Sequence, residues 1–265
     1  MYFNSSYGAI YYETCGSDSS PAIVFTHGMF VDHEMFKMQI PEFKNQYRLV
    51  LWDMPGHGRS FKLEIDFDFS VAAEALVELL DELGIESVVL VGFSLGGGVT
   101  QYIAVKYPER VKAVAVDGIF PLHENLGKLA FAQRILITYG RLLPVSQFTR
   151  SMHNFFNKMT SNLEDDEMKE YMARCCSNVD KKRFLQMAEG LRKAISEGIA
   201  KPVPQTLLIM HGEDEMRLLR KLCAKWHENS PGSEYVVISG SGHGTNYIKP
   251  KEYNKALQSF LPRVS

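Results

Sequence analysis

The chain is predicted to fold as an α/β domain: a mostly parallel central sheet with helices on both faces, into which a helical segment is inserted. Three observations lead there. Short apolar runs (Ala22 to Thr26, Val88 to Val91, Val111 to Val116, Gln205 to Met210) show no polar alternation, the pattern of strands covered on both faces. Segments of helical period separate the first three, and strands alternating with helices imply parallel pairing through right-handed crossovers. From about Pro121 to Lys201 only helical stretches remain, so 1–120 and 201–265 are assigned to the α/β core and 121–200 to a helical cap.

Taken in order, Tyr2 to Asn4 and Ala9 to Thr14 form a hairpin around Ser5-Ser6-Tyr7-Gly8. Ala22 to Thr26 is a buried strand ending at His27-Gly28-Met29. Glu34 to Phe43 is expected as a short helix interrupted near Pro41. Tyr47 to Trp52 is a strand, followed by the turn-rich Asp53-Met54-Pro55-Gly56-His57-Gly58-Arg59-Ser60. Ser70 is expected to cap a helix whose Ala72, Ala75, Leu76, Leu79, Leu80 and Leu83 form a core stripe, with Gly84 closing it. After the strand at Val88, a helix runs to Tyr107, where Pro108 stops it. The inserted helices are placed at Leu126 to Leu142, Ser146 to Met159, Leu163 to Cys176 and Lys181 to Glu197, with Asn178 among the breaks. Ser161 and Glu164 have capping-box spacing at the start of the third. Their Phe131, Met152, Phe155, Phe156, Met159, Met168, Met172, Phe184 and Met187 are expected to divide between core and pocket wall. After Gln205 to Met210 come a helix at Met216 to Asn229, a last strand at Tyr235 to Ile238 and a final helix at Pro250 to Leu261.

Bulk properties narrow the function classes. The 265 residues are 45% hydrophobic and 23% charged, as in ordinary globular proteins. With 29 basic and 31 acidic residues the net charge is −2, which provides no field for nucleic acid, and no run of Lys or Arg marks a membrane surface. Met1 to Tyr12 lacks the features of a signal peptide, and no apolar run is as long as a membrane span. Cys15, Cys175, Cys176 and Cys223 lack zinc-like spacing and read as reduced thiols, so a cytoplasmic protein is expected. The oligomeric state is left open.

The chemistry concentrates in Gly92-Phe93-Ser94-Leu95-Gly96. A strand that breaks between two glycines and restarts as a helix pushes one hydroxyl above the sheet edge. The helix start aims free N–H groups and its dipole at the same spot, so Ser94 is placed to attack a carbonyl and the Leu95 N–H to hold the oxyanion. The bend at Gly28 offers the Met29 N–H as second donor. His27 is expected to orient its loop and His57 to be structural. A serine hydroxyl needs a base, and that base an acceptor fixing its tautomer. His243, among glycines after the last strand, is the base candidate. His27-Gly28, Asp53 and Ser94 all fall at strand carboxyl ends, where open sheets of this kind carry their sites.

Together, His27-Gly28-Met29, the Asp53 to Ser60 loop, Gly92-Phe93-Ser94-Leu95-Gly96 and Gly242-His243 resemble the α/β-hydrolase superfamily, in its cap-bearing esterase and lactonase-like branch. The resemblance implies Ser94 as nucleophile, His243 as base, the N–H groups of Met29 and Leu95 as oxyanion hole, and neither metal nor organic cofactor. The acid departs from the usual pattern. Where the family commonly has Asp, four residues after a His-Gly histidine, this chain has Glu215, with Asp214 one residue early. Some relatives carry the acid after an earlier strand, where Asp117 stands. All three stay open. The expected activity is hydrolysis of a carboxylic ester or lactone of a small to medium, largely apolar substrate. C–C bond, amide or thioester cleavage, a slow-turnover ligand sensor and an inactive interaction protein are the alternatives. Arg134, Arg141, Arg150 and His153 lie in the cap, where they are expected on the solvated surface, the alternative being that they meet a substrate carboxylate.

Overall fold

The computed structural model describes residues 1–60, 67–160, 163–177 and 179–263. In chain order the elements are β1 (Tyr2–Ser5), β2 (Gly8–Cys15), β3 (Ala22–Thr26), a 3-10 turn (His33–Phe36), α1 (Ile40–Phe43), β4 (Arg48–Trp52), α2 (Phe69–Glu82), β5 (Val88–Phe93) and α3 (Leu95–Lys106). Then come β6 (Val111–Asp117), α4 (Gly127–Leu142), α5 (Val145–Met159), α6 (Asp166–Ser177), α7 (Lys181–Glu197), β7 (Thr206–Gly212), α8 (Arg217–Glu228), β8 (Glu234–Ile238), α9 (Thr245–Ile248) and α10 (Pro250–Phe260).

The eight strands form one sheet in the order β1-β2-β4-β3-β5-β6-β7-β8. β1 and β2 pair antiparallel, as do β2 and β4, and the remaining neighbours are parallel. The unalternating strands are explained by two cores. Val24, Val50, Leu90 and Val114 face one cluster, built with α2, α3 and α8. Ile23, Leu49, Val89 and Ala113, the residues just before them, face another that includes Phe43, Tyr253 and Leu257. Each strand thus buries both sets of side chains.

Local expectations differ from the structure at a few points. Asp68, not Ser70, caps α2, its carboxylate accepting from the Ser70 N–H at 2.8 Å. An aspartate accepts as well as a serine there, and its Lys193 partner adds an ion pair across to α7. Pro41 starts α1 rather than interrupting a longer helix, since a proline lacks only an N–H that the first turn leaves unbonded. α6 begins at Asp166, with Asp165 accepting from the Met168 N–H at 2.7 Å. Ser161, named for a capping box, and Asn178 lie outside the described residues. The short α9 was not foreseen. Phe131 is 65% exposed, against the expectation of core or pocket wall, while Met168 and Met187 are buried. The side chains of Phe155 and Met159 lie outside the described residues. The four cysteines are free.

The β5–α3 joint is sterically closed. A Cβ on Gly96 would lie 2.2 Å from the Thr26 carbonyl oxygen, and one on Gly92 would lie 2.7 Å from the Gly96 oxygen. Both neighbours are backbone and cannot swing aside. Gly96→Ala is therefore expected to cost ~1–3 kcal/mol or more and to lower Tm by several degrees in a thermal melt. An unchanged Tm would mean that α3 moves away from β3 at little cost.

Candidate active site

The carboxyl ends of β3, β5, β6, β7 and β8 bring the candidate residues to one edge of the sheet. Ser94 lies between β5 and α3 with φ 49° and ψ −117°. Among the described residues only Ser94 and Phe30 (φ 66°) carry a positive φ without being glycine, and both line the same cavity. Such backbone costs on the order of 1–3 kcal/mol and persists only where the surroundings enforce it. At Ser94 they do: its N–H donates to the Asp117 carbonyl at 2.8 Å, and its carbonyl accepts the Gly98 N–H at 3.2 Å.

His243 Nε2 is 3.0 Å from Ser94 Oγ, and His243 Nδ1 is 2.5 Å from Glu215 Oε2. Glu215 Oε1 accepts the Met216 N–H at 2.8 Å. The carboxylate therefore fixes Nδ1 as the protonated nitrogen and leaves Nε2 to accept from the serine. The ring sits against Phe93, with centroids 4.8 Å apart, and over Gly118, where a Cβ would come 2.9 Å from its Cε1. Burial pulls the His243 pKa down, but the hydrogen bond and charge of Glu215 outweigh this, with help from Asp117, and hold it above the ordinary value. Burial pushes Glu215 up, and the bond and charge of His243 reverse that and hold it below the ordinary carboxylate value.

The other two acids are placed differently. Asp214 is exposed beside Glu215. Asp117 is buried at the end of β6, where Oδ2 accepts from Thr245 Oγ1 at 2.8 Å and Oδ1 has no hydrogen-bond partner among the described residues. Burial pushes its pKa up to about 7.

Met29 and Leu95 flank the serine. Leu95 is the first residue of α3, so its N–H has no acceptor within the helix. Met29 lines the cavity over Ser94. The loop carrying it is pinned by His27, whose Nδ1–H donates to the Gly28 carbonyl at 2.7 Å while Nε2 accepts the Met54 N–H at 2.9 Å. Asp53 accepts from the backbone and ring of His33 and from the Arg59 N–H. His57 is buried and its pKa is pushed down to about 3 by that burial. Asp32, His33 and Asp53 are close enough together to be considered as metal ligands. Several of their polar atoms are bonded within the protein: His33 Nδ1 to Asp53 at 2.7 Å, and Asp32 Oδ1 to the Glu34 N–H at 3.0 Å. This set is suited to holding loops.

The cavity above Ser94 measures about 360 Å³ and is walled by Met29, Phe30, Val31, Phe93, His243 and Tyr247 from the sheet side. Met152 and Phe156 of α5, Met172 of α6 and Phe184 of α7 close it from above.

The family model for the α/β hydrolase fold matches residues 21–250. The chain belongs to the α/β-hydrolase family. Among curated relatives of this hydrolase, 3-oxoadipate enol-lactonase 1 of Acinetobacter baylyi is 27% identical, over 94% of this chain and 91% of that protein. A bifunctional esterase/perhydrolase of Acinetobacter calcoaceticus is 23% identical, over 95% of each. A solved hydrolase from Pseudomonas aeruginosa shares the fold at a TM-score of 0.82 and 18% identity, covering 98% of this chain and 97% of the other.

The structure brings Ser94, His243 and Glu215, all named from sequence motifs, into one hydrogen-bonded series, whereas part of the cavity wall carries no motif. Val31 and Tyr247 were not singled out, and the strained Phe30 carries no signal in residue type. Arg134, Arg141, Arg150 and His153 do not line the cavity at Ser94.

Proposed function

We propose that this hydrolase cleaves uncharged carboxylic esters, lactones included, through an acyl-enzyme intermediate on Ser94. The observation that carries the reading is the hydrogen-bonded series Ser94–His243–Glu215 beneath an apolar cavity of about 360 Å³. Ser94 Oγ attacks the carbonyl carbon as its proton passes to His243 Nε2. Glu215 stabilises the imidazolium, and the N–H groups of Met29 and Leu95 hold the oxyanion. When the C–O bond breaks, His243 protonates the departing alkoxide. Water then attacks the acyl-enzyme as His243 takes its proton, and Ser94 leaves with that proton restored.

The relatives named as an enol-lactonase and an esterase support ester and lactone chemistry. The wall supports the substrate class. Apart from Ser94 and His243 its residues are Met, Phe, Val and Tyr, with neither Lys nor Arg among them, so a substrate carboxylate would be desolvated with no fixed cation beyond the catalytic imidazole to compensate. The test is turnover of a panel of acyl esters, lactones, amides and thioesters, with matched esters bearing a carboxylate on the acyl chain. Uncharged esters or lactones are expected to lead, with the carboxylate analogues at least about tenfold lower in kcat/KM. Preference for an amide or thioester, or a single turnover without release, would replace this reading.

A further inference from the structure

α4 presents an apolar face to the outside. Its Ala130 and Ile137 are buried, while Phe131, Ile135, Tyr139 and Leu142, spaced to share one helical face, are exposed, Leu142 by 79%. Leu136 of α4 and Val145, the first residue of α5, are exposed as well. Soluble surfaces scatter such residues singly, whereas here four share one helical face.

The charge around this face is one-sided. From Asn125 to Leu163, through all of α4 and α5, there is no Asp or Glu, while Lys128, Arg134, Arg141, Arg150 and Lys158 are present. On one shoulder of α4, Arg134 and Arg141 meet Arg192 of α7 around a shallow cavity of about 370 Å³, with Glu189 as the only acid there among the described residues. Arg192 bonds Glu189 at 2.6 Å and Arg141 stands 4.0 Å from it, so three guanidinium groups share one carboxylate. The basic residues are dispersed along the chain, which is why no Lys/Arg run marks a membrane surface in the sequence; folding gathers them beside the apolar face.

We infer that the outer face of α4 docks this protein on an anionic lipid surface, its apolar side chains entering the headgroup boundary and Arg134 and Arg141 meeting lipid phosphates. An apolar helical face flanked by basic residues is the design of interfacial helices, and a fluid bilayer fits a convex helix without shape complementarity. A second copy is disfavoured, because a two-fold contact through α4 would set Arg134 and Arg141 against their own equivalents, with Glu189 the one acid among the described residues lining that cavity and already bonded to Arg192. The contact is a surface one: among the described residues no helix is long and apolar enough to cross a membrane. α5, which follows α4 directly, supplies Met152 and Phe156 to the cavity wall, so docking would hold the cavity's helical roof near a source of apolar esters.

The test is co-sedimentation of the full chain with vesicles of phosphatidylcholine alone and with about one-third phosphatidylglycerol. Binding is expected to the anionic vesicles and to weaken with salt. Arg134→Gln and Arg141→Gln should each lower partitioning about fivefold, and Leu142→Glu should abolish it. None of these residues touches the Ser94 cavity, so hydrolysis of a water-soluble ester by each variant should match the parent and certify the fold. Equal binding to both vesicle types, binding to neither, or a concentration-dependent dimer that Leu142→Glu dissolves without any vesicle binding would each overturn the inference. The readout is independent of the reaction at Ser94, so it stands or falls apart from the proposed function.

Discussion

Ser94→Ala is expected to lower kcat/KM on the best substrate of the panel by about 10⁵–10⁶, the scale on which serine hydrolases lose turnover when the nucleophile goes. The size of the effect follows from what remains. The cavity, the N–H groups of Met29 and Leu95 and the His243–Glu215 pair would all persist, but no atom is left to form the acyl bond. Direct attack by water keeps only the oxyanion and binding contributions, roughly 10³–10⁴ over the uncatalysed rate. The substitution removes one oxygen from a residue that makes its backbone bonds through N–H and C=O, so folding should be nearly unaffected. Measured on purified protein with a thermal melt as control, activity within about tenfold of the parent would refute the nucleophile assignment. Loss of labelling by a fluorophosphonate probe should accompany the loss of rate.

Glu215→Gln is expected to lower kcat by about 10³–10⁴, while Asp214→Asn stays within about twofold. Glutamine cannot stabilise an imidazolium, and its amide can present a donor to Nδ1 and so favour the wrong tautomer. Asp214 faces solvent and has no part in the series. Asp117→Asn keeps an acceptor for Thr245 and should fall far less than Glu215→Gln. The pH profile gives an independent sign. Activity needs neutral His243, so it is present above the folded pKa and lost as pH falls through it. In the parent, Glu215 holds that pKa above the ordinary value near ~6.5, and the acid limb should lie there. Without the carboxylate, burial is the largest remaining influence, so the limb of the residual activity should move to lower pH. An unmoved limb, or a larger loss with Asp117→Asn, would transfer the role of the acid elsewhere.

The strands, the order of the elements and the loops that bring Ser94 and His243 to one sheet edge were legible because each rests on local information. An unalternating apolar run says that both faces are covered whatever covers them, and the two core clusters supply the covers. Gly92 and Gly96 announce a close backbone approach before the approaching atoms are known. Helix starts were less legible, because Asp68 and Ser70 are both competent caps and their residue types do not choose between them.

What the sequence by itself determined was the class of the protein and the chemical types at its centre: a strand-to-helix turn with a serine, a late histidine among glycines, and acids between them. Only the tertiary structure decided that Glu215, rather than Asp214 or Asp117, lies against His243, which residues of α5 to α7 roof the cavity, and that the apolar residues of α4 face outward. Spacing along a chain fixes the conformation of neighbours. The direction of a side chain at a loop or on a packed helix is set by contacts with residues a hundred or more positions away, such as those joining Ser94 to His243.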